Sequence, residues 1–296
     1  MVVATNTLED GHYDHSYLDG VMTNLQKMGT QSKTKHIIIQ STTIPGYCDS
    51  VFQRLEKYNY TISYNPEFIR QGTILKDQEN PDMILIGTGS EEVSKRLSDI
   101  FNRMCVVPPP YGVDEPNIRI MDNLSAEITK LALNCFLTTK ISFTNMIGDL
   151  AVQVGASPDK ILGAISSDSR VGNKLMKYGY GYGGTCLPRD NRALAVFAKD
   201  NDMPIDISYA TDKINKSHLN FQIKQFVECN DKNKPVVLNG VSFKNGSDII
   251  EESQQLAFAV GLATEGFDVT IRDNIFVLEQ VKKIYNNLFK YEEINV

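Results

Sequence analysis

The sequence has no tryptophan, only four histidines in 296 residues, and five cysteines without one Cys-X-X-Cys pair. The histidines, His12, His15, His36 and His218, show no metal-binding spacing, although His12 and His15 can share one local surface of a polar stretch. The cysteines, Cys48, Cys105, Cys135, Cys186 and Cys229, are odd in number and far apart. Together these absences argue against a zinc site and against a disulfide framework. No apolar run reaches the roughly 18 residues of a membrane span. A complete Gly-X-Gly-X-X-Gly is also lacking. Gly87-Thr88-Gly89 has Glu92 where the third glycine belongs, so it reads as a turn. No phosphate-binding P-loop, internal repeat or low-complexity tract is present. Positive charge is short: 30 Lys and Arg against 36 Asp and Glu leave a net charge of −6. That balance argues against a nucleic-acid or membrane-surface partner, while leaving room for local basic sites that take a phosphorylated ligand. The opening Met1-Val2-Val3-Ala4-Thr5 lacks the charged and apolar regions of a secretion signal, so a reducing, cytoplasmic setting is expected.

What is present is an ordinary globular composition, 42% apolar and 22% charged, on a length that suits roughly two domains. Residues 1–6 read as the end of a strand and a polar loop follows. A helical pattern over about 18–27 leads into His36-Ile37-Ile38-Ile39-Gln40, an apolar run of buried-strand type. Helix over about 49–58, strand over 83–87 and helix over 90–104 then alternate, which predicts a parallel sheet with helical crossovers. Pro108-Pro109-Pro110 punctuates the chain. Long helical patterns occupy about 124–154 and 207–227, with a shorter one over 192–199. The strand-helix style returns with a strand at 235–240, a helix over 252–265 and a strand at 267–271.

Gly181-Tyr182-Gly183-Gly184-Thr185-Cys186-Leu187-Pro188-Arg189-Asp190 is the stretch richest in chemistry. Glycines let the backbone approach a ligand closely, and Pro188 suits the first turn of a helix. Cys186 then stands just before a helix N-terminus with Arg189 nearby, two features that favour a thiolate. Asp190 falls in the first turn, within reach of a proton or a water. From the residues alone, a buried structural cysteine in a glycine-rich turn fits as well. Lys130 and Asn134 are four apart in a helical pattern and share a face, interrupting the oily Leu131-Ala132-Leu133. The alternative there is a solvated face.

The cysteine stretch resembles the active-site motif of the UDP-glucose/GDP-mannose 6-dehydrogenase family of nucleotide-sugar dehydrogenases, Gly-(aromatic)-Gly-Gly-X-Cys-X-Pro-Lys-Asp, with Arg189 in place of the lysine. Further matches follow the family's order: Ser41-Thr42 ahead of Pro45, Asn65-Pro66-Glu67-Phe68, Ala126-Glu127 with Lys130 and Asn134, Asp168-Ser169-Arg170-Val171-Gly172, and Gly240-Val241-Ser242-Phe243-Lys244. The resemblance implies an α/β fold of two Rossmann-like βα parts, both incomplete, joined by a central helical domain. The expected division is 1–110 as the later part of an NAD-binding domain, 111–230 as a helical substrate and dimerisation domain, and 231–296 as part of a UDP-binding domain. Against the family, the chain is expected to be short at both ends.

The resemblance also implies an NAD-dependent oxidation of UDP-glucose to UDP-glucuronate in two hydride transfers, through a thiohemiacetal and then a thioester on Cys186. GDP-mannose is the rival substrate, and an inactive sugar-nucleotide-binding remnant is the rival role. Carried over, Lys130 offsets oxyanion charge, Asn134 orients substrate or water, and Asp190 and Glu67 handle protons. Thr42, Glu67 and Arg189 face the cofactor, although hydroxyls at 41–43 can equally serve the next helix's N–H groups. Phe68, Arg170, Lys177, Tyr182, Gly183, Phe243 and Lys244 bind substrate, Arg170 across a homodimer. The chain departs from the family at Gln71, where many members carry a second glutamate, and at Asp248-Ile249-Ile250-Glu251, where an arginine usually helps to hold NAD.

Overall fold

The computed structural model describes residues 6–8, 10–68, 72–105 and 116–294. Pro108-Pro109-Pro110 and Gln71 lie outside these residues. The chain divides into two compact units, Met1–Leu133 with Arg192–Pro204, and Asn134–Asn191 with Ile205–Val296.

The first unit opens with a small antiparallel pair, β1 (Asn6–Thr7), where the sequence suggests the end of a strand, and β2 (Tyr13–Asp14), within the expected polar loop. Helix α1 (Ser16–Lys27) follows, then β3 (Lys35–Ile39), α2 (Tyr47–Leu55) with a 3₁₀ turn at Glu56–Tyr58, and β4 (Tyr60–Tyr64). A short α3 (Ile74–Glu79) leads to β5 (Ile84–Gly87), α4 (Glu91–Met104), β6 (Ile118–Met121) and the start of α5 (Asn123–Gln153). The sheet order is β3-β4-β5-β6. The β-branched run of β3 pairs in parallel with β4, as the alternation predicts, and β5 pairs in parallel with β6. The middle junction departs from that expectation: β4 and β5 meet antiparallel through Tyr64 and Gly87. Among its described residues the connection between them carries the six-residue α3, too short for a full helical crossover, and the chain turns back along the sheet.

Leu18, Met22, Ile39, Val51, Leu55, Ile62 and Leu85 form the core of this unit, each at most 1% exposed. Truncating any of these to alanine is expected to cost about 2–5 kcal/mol, transfer and cavity terms together.

The second unit is built on the rest of α5, then α6 (Pro158–Ser166), the start of α7 (Leu187–Asp200), and α8 (Asp206–Cys229). It closes with β7 (Val236–Asn239), α9 (Gln254–Thr264), β8 (Val269–Asp273), α10 (Ile275–Tyr285) and β9 (Lys290–Glu293) in an all-parallel sheet of order β7-β8-β9. Side-chain caps fix three of its helices. Ser157 Oγ accepts the Lys160 N–H at the start of α6 at 3.4 Å. Ser253 Oγ accepts the Leu256 N–H and Asn274 Oδ1 accepts the Val277 N–H, each satisfying a donor that the first turn leaves unpaired. Leu256, Phe258, Leu262, Val269, Ile271 and Val277 pack between these helices and strands. Among the described residues no helix is long and apolar enough to cross a membrane.

Candidate active site

Helix α7 begins at Leu187, so Cys186 stands at its threshold, exposed, with Thr185 Oγ1 3.5 Å from its sulfur. The sequence pattern suggests a helix only from Arg192. The start is five residues earlier because Pro188 needs no N–H partner in a first turn, and the Asp190 N–H reaches the Cys186 carbonyl at 2.9 Å. The glycines ahead of Cys186 are used for close approach. At Gly183 a side-chain β-carbon would lie 2.2 Å from the Glu252 carbonyl oxygen. At Gly184, whose φ is +81°, it would lie 2.5 Å from the Phe243 ring. The Gly184 N–H donates to the Glu251 carbonyl at 3.1 Å. Gly183 thus serves packing against the 251–253 turn, and Phe243 sits directly on the cysteine loop.

Asp190 is fully buried. Its Oδ2 accepts the Asn134 side-chain amide at 2.6 Å and its Oδ1 accepts Arg189 Nε at 3.0 Å. The Cys135 thiol points at the Asp190 carbonyl, 3.7 Å away, and burial pushes that thiol up to about 12, so it stays protonated and inert. Cys186, Arg189, Asp190 and Asn134 therefore form one neighbourhood in the second unit, with a charge-assisted network under an exposed sulfur.

Tyr182, expected at the substrate, is 3% exposed, and its hydroxyl donates to Asp212 Oδ1 at 2.5 Å. Its backbone is gripped by Asn215, which accepts the Tyr182 N–H at 3.0 Å and donates to its carbonyl at 2.9 Å. The placement makes Tyr182 an anchor of the loop. Asn215 was not legible as a site residue, since nothing in its stretch of α8 marks a partner 33 positions away. Lys177 and Lys244 are exposed, and so is Arg170, which pairs with Asp168 two residues earlier at 2.7 Å.

In the first unit, Lys130 is 8% exposed and donates to the Glu67 backbone carbonyl at 2.6 Å, with its ammonium 4.4 Å from the centroid of the Phe68 ring. Lys130, Glu67 and Phe68 are thus brought together, through the glutamate's carbonyl. Asn65 holds the strand end in place by donating to the Leu85 carbonyl at 2.8 Å.

Thr42 is half-buried at the carboxyl end of β3. Its neighbour Thr43 donates to Glu127 Oε1 at 2.8 Å, and the carboxylate of Glu127 in turn accepts the Gly46 and Cys48 N–H groups at 2.7 and 3.0 Å. Service to the next helix therefore falls to a carboxylate from α5, which the Thr43 hydroxyl braces, leaving Thr42 outside that network. Glu127, seen in the sequence only as part of a flanking motif, is the missing cap of α2. Thr42 and residues 65–67 sit at the carboxyl ends of the parallel strands β3 and β4, the edge at which doubly wound sheets take nucleotides. That donor set, a hydroxyl and a carboxylate at strand ends, fits a dinucleotide's polar end. Gly89 meets the Ile62 carbonyl so closely that a β-carbon would lie 1.7 Å from its oxygen, so Gly87-Thr88-Gly89 is a packing turn. Among the described residues no three His, Cys, Asp or Glu gather as metal ligands.

Two family models match this chain. The NAD binding domain of the UDP-glucose/GDP-mannose dehydrogenase family matches residues 1–105, and the central domain of the same family matches residues 124–217. UDP-glucose 6-dehydrogenase YwqF of Bacillus subtilis is 28% identical over 301 residues, covering 99% of this chain. The UDP-glucose 6-dehydrogenase of Rickettsia conorii is 30% identical over 252 residues, covering 83%. The chain spans 65% of the first relative's length and 56% of the second's. Among solved structures, a UDP-glucose dehydrogenase from the hyperthermophilic archaeon Pyrobaculum islandicum superposes with a TM-score of 0.85 at 26% identity, over 99% of this chain and 67% of that one. With its motifs in the family's order, two family models on 1–105 and 124–217 and this shared fold, the chain belongs to the UDP-glucose/GDP-mannose dehydrogenase family.

Proposed function

We propose that this chain carries the cysteine chemistry of an NAD-dependent nucleotide-sugar 6-dehydrogenase, with UDP-glucose as substrate. The observation that carries the reading is the exposed Cys186 at the threshold of α7, one turn from the buried Asp190 with its Asn134 and Arg189 partners. NAD, when bound, supplies the hydride acceptor; Thr42 and Glu67 at the strand ends and Arg189 are the residues to face it.

Cys186 attacks the aldehyde at C6 of the sugar. The new S–C bond gives a thiohemiacetal that keeps the aldehyde from escaping. Loss of hydride from that carbon leaves a thioester. Water then adds to the thioester carbonyl and the thiolate departs, giving the carboxylate. Asp190 and Glu67 accept and return the protons of these steps, and Asn134 orients the sugar or the water. Lys130 offsets charge on the oxygen in the tetrahedral species. Phe243, against the loop glycine, the exposed Lys244 and Lys177, and the half-buried Phe68 take the nucleotide sugar. Arg170, exposed on its own loop, reaches a second copy.

A homodimer is supported by α5. Phe136, Phe143 and Leu150 recur every seven residues at 64%, 41% and 59% exposure, an apolar stripe suited to a second copy of the same helix. The division into 1–110, 111–230 and 231–296 is supported by the ranges of the two family models. Five free thiols suit a reducing, cytoplasmic setting.

The test is NADH formation with NAD⁺ and UDP-glucose, with GDP-mannose in parallel, using the full-length protein. Two NADH per UDP-glucose are expected, and none from Cys186→Ser beyond the aldehyde stage. Uronate production by that variant at the parent rate would overturn the mechanism. A preference for GDP-mannose would overturn the substrate, and sugar-nucleotide binding without any NADH would show an inactive binding remnant.

A further inference from the structure

The stem of the cysteine loop touches a group that the mechanism leaves unused. His218, on α8, is 1% exposed. Its Nδ1 lies 2.9 Å from both carboxylate oxygens of Asp149 on α5, and its Nε2 lies 2.6 Å from the carbonyl oxygen of Gly179. A backbone carbonyl only accepts, and so does an ionised carboxylate. A neutral imidazole has a single N–H and can serve one of them; the imidazolium has two and serves both. A further titratable group facing the ring is Tyr178, with ring centroids 5.6 Å apart. Its hydroxyl donates to Asp149 at 2.7 Å, and burial pushes that phenol up, so it stays a donor. Tyr178 and Gly179 both belong to the segment that runs into Gly181, Tyr182 and Cys186. Further ties hold the same stem: Gly179 N–H to Asn145 Oδ1 at 3.2 Å, Asn145 to the Tyr180 carbonyl at 3.2 Å, and Gln222 to the Gly179 carbonyl at 3.2 Å.

We propose that His218 is a pH-dependent positioning residue for Cys186. As an imidazolium it bridges Asp149 and the loop stem. On losing a proton it keeps only one of the two bonds, and the stem loosens. The idea rests on the role of Cys186 for its purpose, but the bridge itself is measurable without substrate or cofactor.

The informative variant is Asp149→Asn. Its amide can donate to Nδ1 while Nε2–H still donates to Gly179, and its oxygen still accepts from Tyr178. The bridge then survives with a neutral His218 and loses its pH dependence. His218→Phe removes both bonds at every pH. Hydrogen exchange would be read at the amides of Gly179, Tyr182 and Gly184 on the full chain from pH 6 to 9, corrected for intrinsic rates, with ¹⁵N-histidine NMR following the ring. In the parent, protection should fall about tenfold wherever the ¹⁵N spectra show the second ring proton lost, the cost of one charge-assisted bond. Asp149→Asn should stay flat, and His218→Phe should be poorly protected throughout. A parent ring carrying one N–H at every pH read, protection unchanged when the second ring proton is lost, or identical pH profiles for parent and Asp149→Asn, would overturn the proposal. Should His218→Phe fail to fold, the parent and Asp149→Asn alone decide. Activity enters neither readout, so failure here is distinct from failure of the proposed reaction.

Discussion

Among the described residues two carboxylates are fully buried, Glu127 in the first unit and Asp190 in the second, and their donors differ in kind. Glu127 takes two backbone N–H groups at the start of α2 and the Thr43 hydroxyl. Burial pushes its carboxyl up, and those three bonds oppose the shift. Asp190 instead takes two side-chain donors, the Asn134 amide and Arg189 Nε. A carboxylate satisfied by backbone is committed to holding a helix end. One satisfied by side chains, a turn away from an exposed thiol, can exchange partners when a ligand or a proton arrives. Burial is the same for both; the kind of donor is what differs, and it fits the proton-handling role proposed for Asp190.

The largest effect that would test this contrast is Glu127→Ala. It orphans two N–H groups and a hydroxyl in a closed interior, and a loss of about 3–5 kcal/mol in urea unfolding is expected. A loss under about 1 kcal/mol would mean that the cap is dispensable. Asp190→Asn should cost only about 1–2 kcal/mol, because the amide keeps one oxygen for one donor. Its NADH formation should nevertheless fall about a hundredfold or more, the usual share of a proton-handling group. If stability dropped as far as in Glu127→Ala while turnover per folded molecule held, Asp190 would join the structural class.

The smallest effect sits beside the Glu127 network. His15 stacks on Tyr47 with ring centroids 4.2 Å apart and accepts the Ile44 N–H at 3.3 Å, which requires a neutral ring. Burial holds its imidazole below the ordinary value, against the pull of Asp19 and Asp14. A depressed value means that its contribution is complete above about pH 6.5 and is lost as pH falls through the folded value. Between pH 7 and 5 the parent should lose more stability than His15→Gln, which keeps an acceptor without titrating. Parallel pH curves for the two would sever His15 from the turn.

Much of this architecture was legible in the sequence. The β-branched run at 36–39, the periodic stretch that became α5 and the strand-helix alternation at 235–271 each form the element their patterns anticipate, whereas β4, the partner of the 36–39 strand, had no strand signal of its own. Lys130 and Asn134 share a helix, as their spacing required. What stayed hidden was long-range and polar. Glu127 looked like any helical glutamate until its partners at 43–48 came beside it, 79 to 84 positions back in the chain. Asn215 and His218 sit in a polar helix whose periodicity is weak, so nothing local distinguished a clamp from a solvated face. The antiparallel β4–β5 junction was missed because alternation reports which elements occur, not the direction in which the chain returns.

Helix α5 has a consequence for how this chain can vary. It carries a carboxylate at 127, an ammonium at 130 and an amide at 134, each committed to a different partner. Their steps of three and four are the pitch of the helix, so α5 acts as a ruler. Inserting or deleting one residue between 127 and 134 would rotate everything beyond it by about 100° and slide it by about 1.5 Å. Point substitutions along the ruler can be graded in effect; a change of length there is all or none, and length variation among related chains should fall outside this interval.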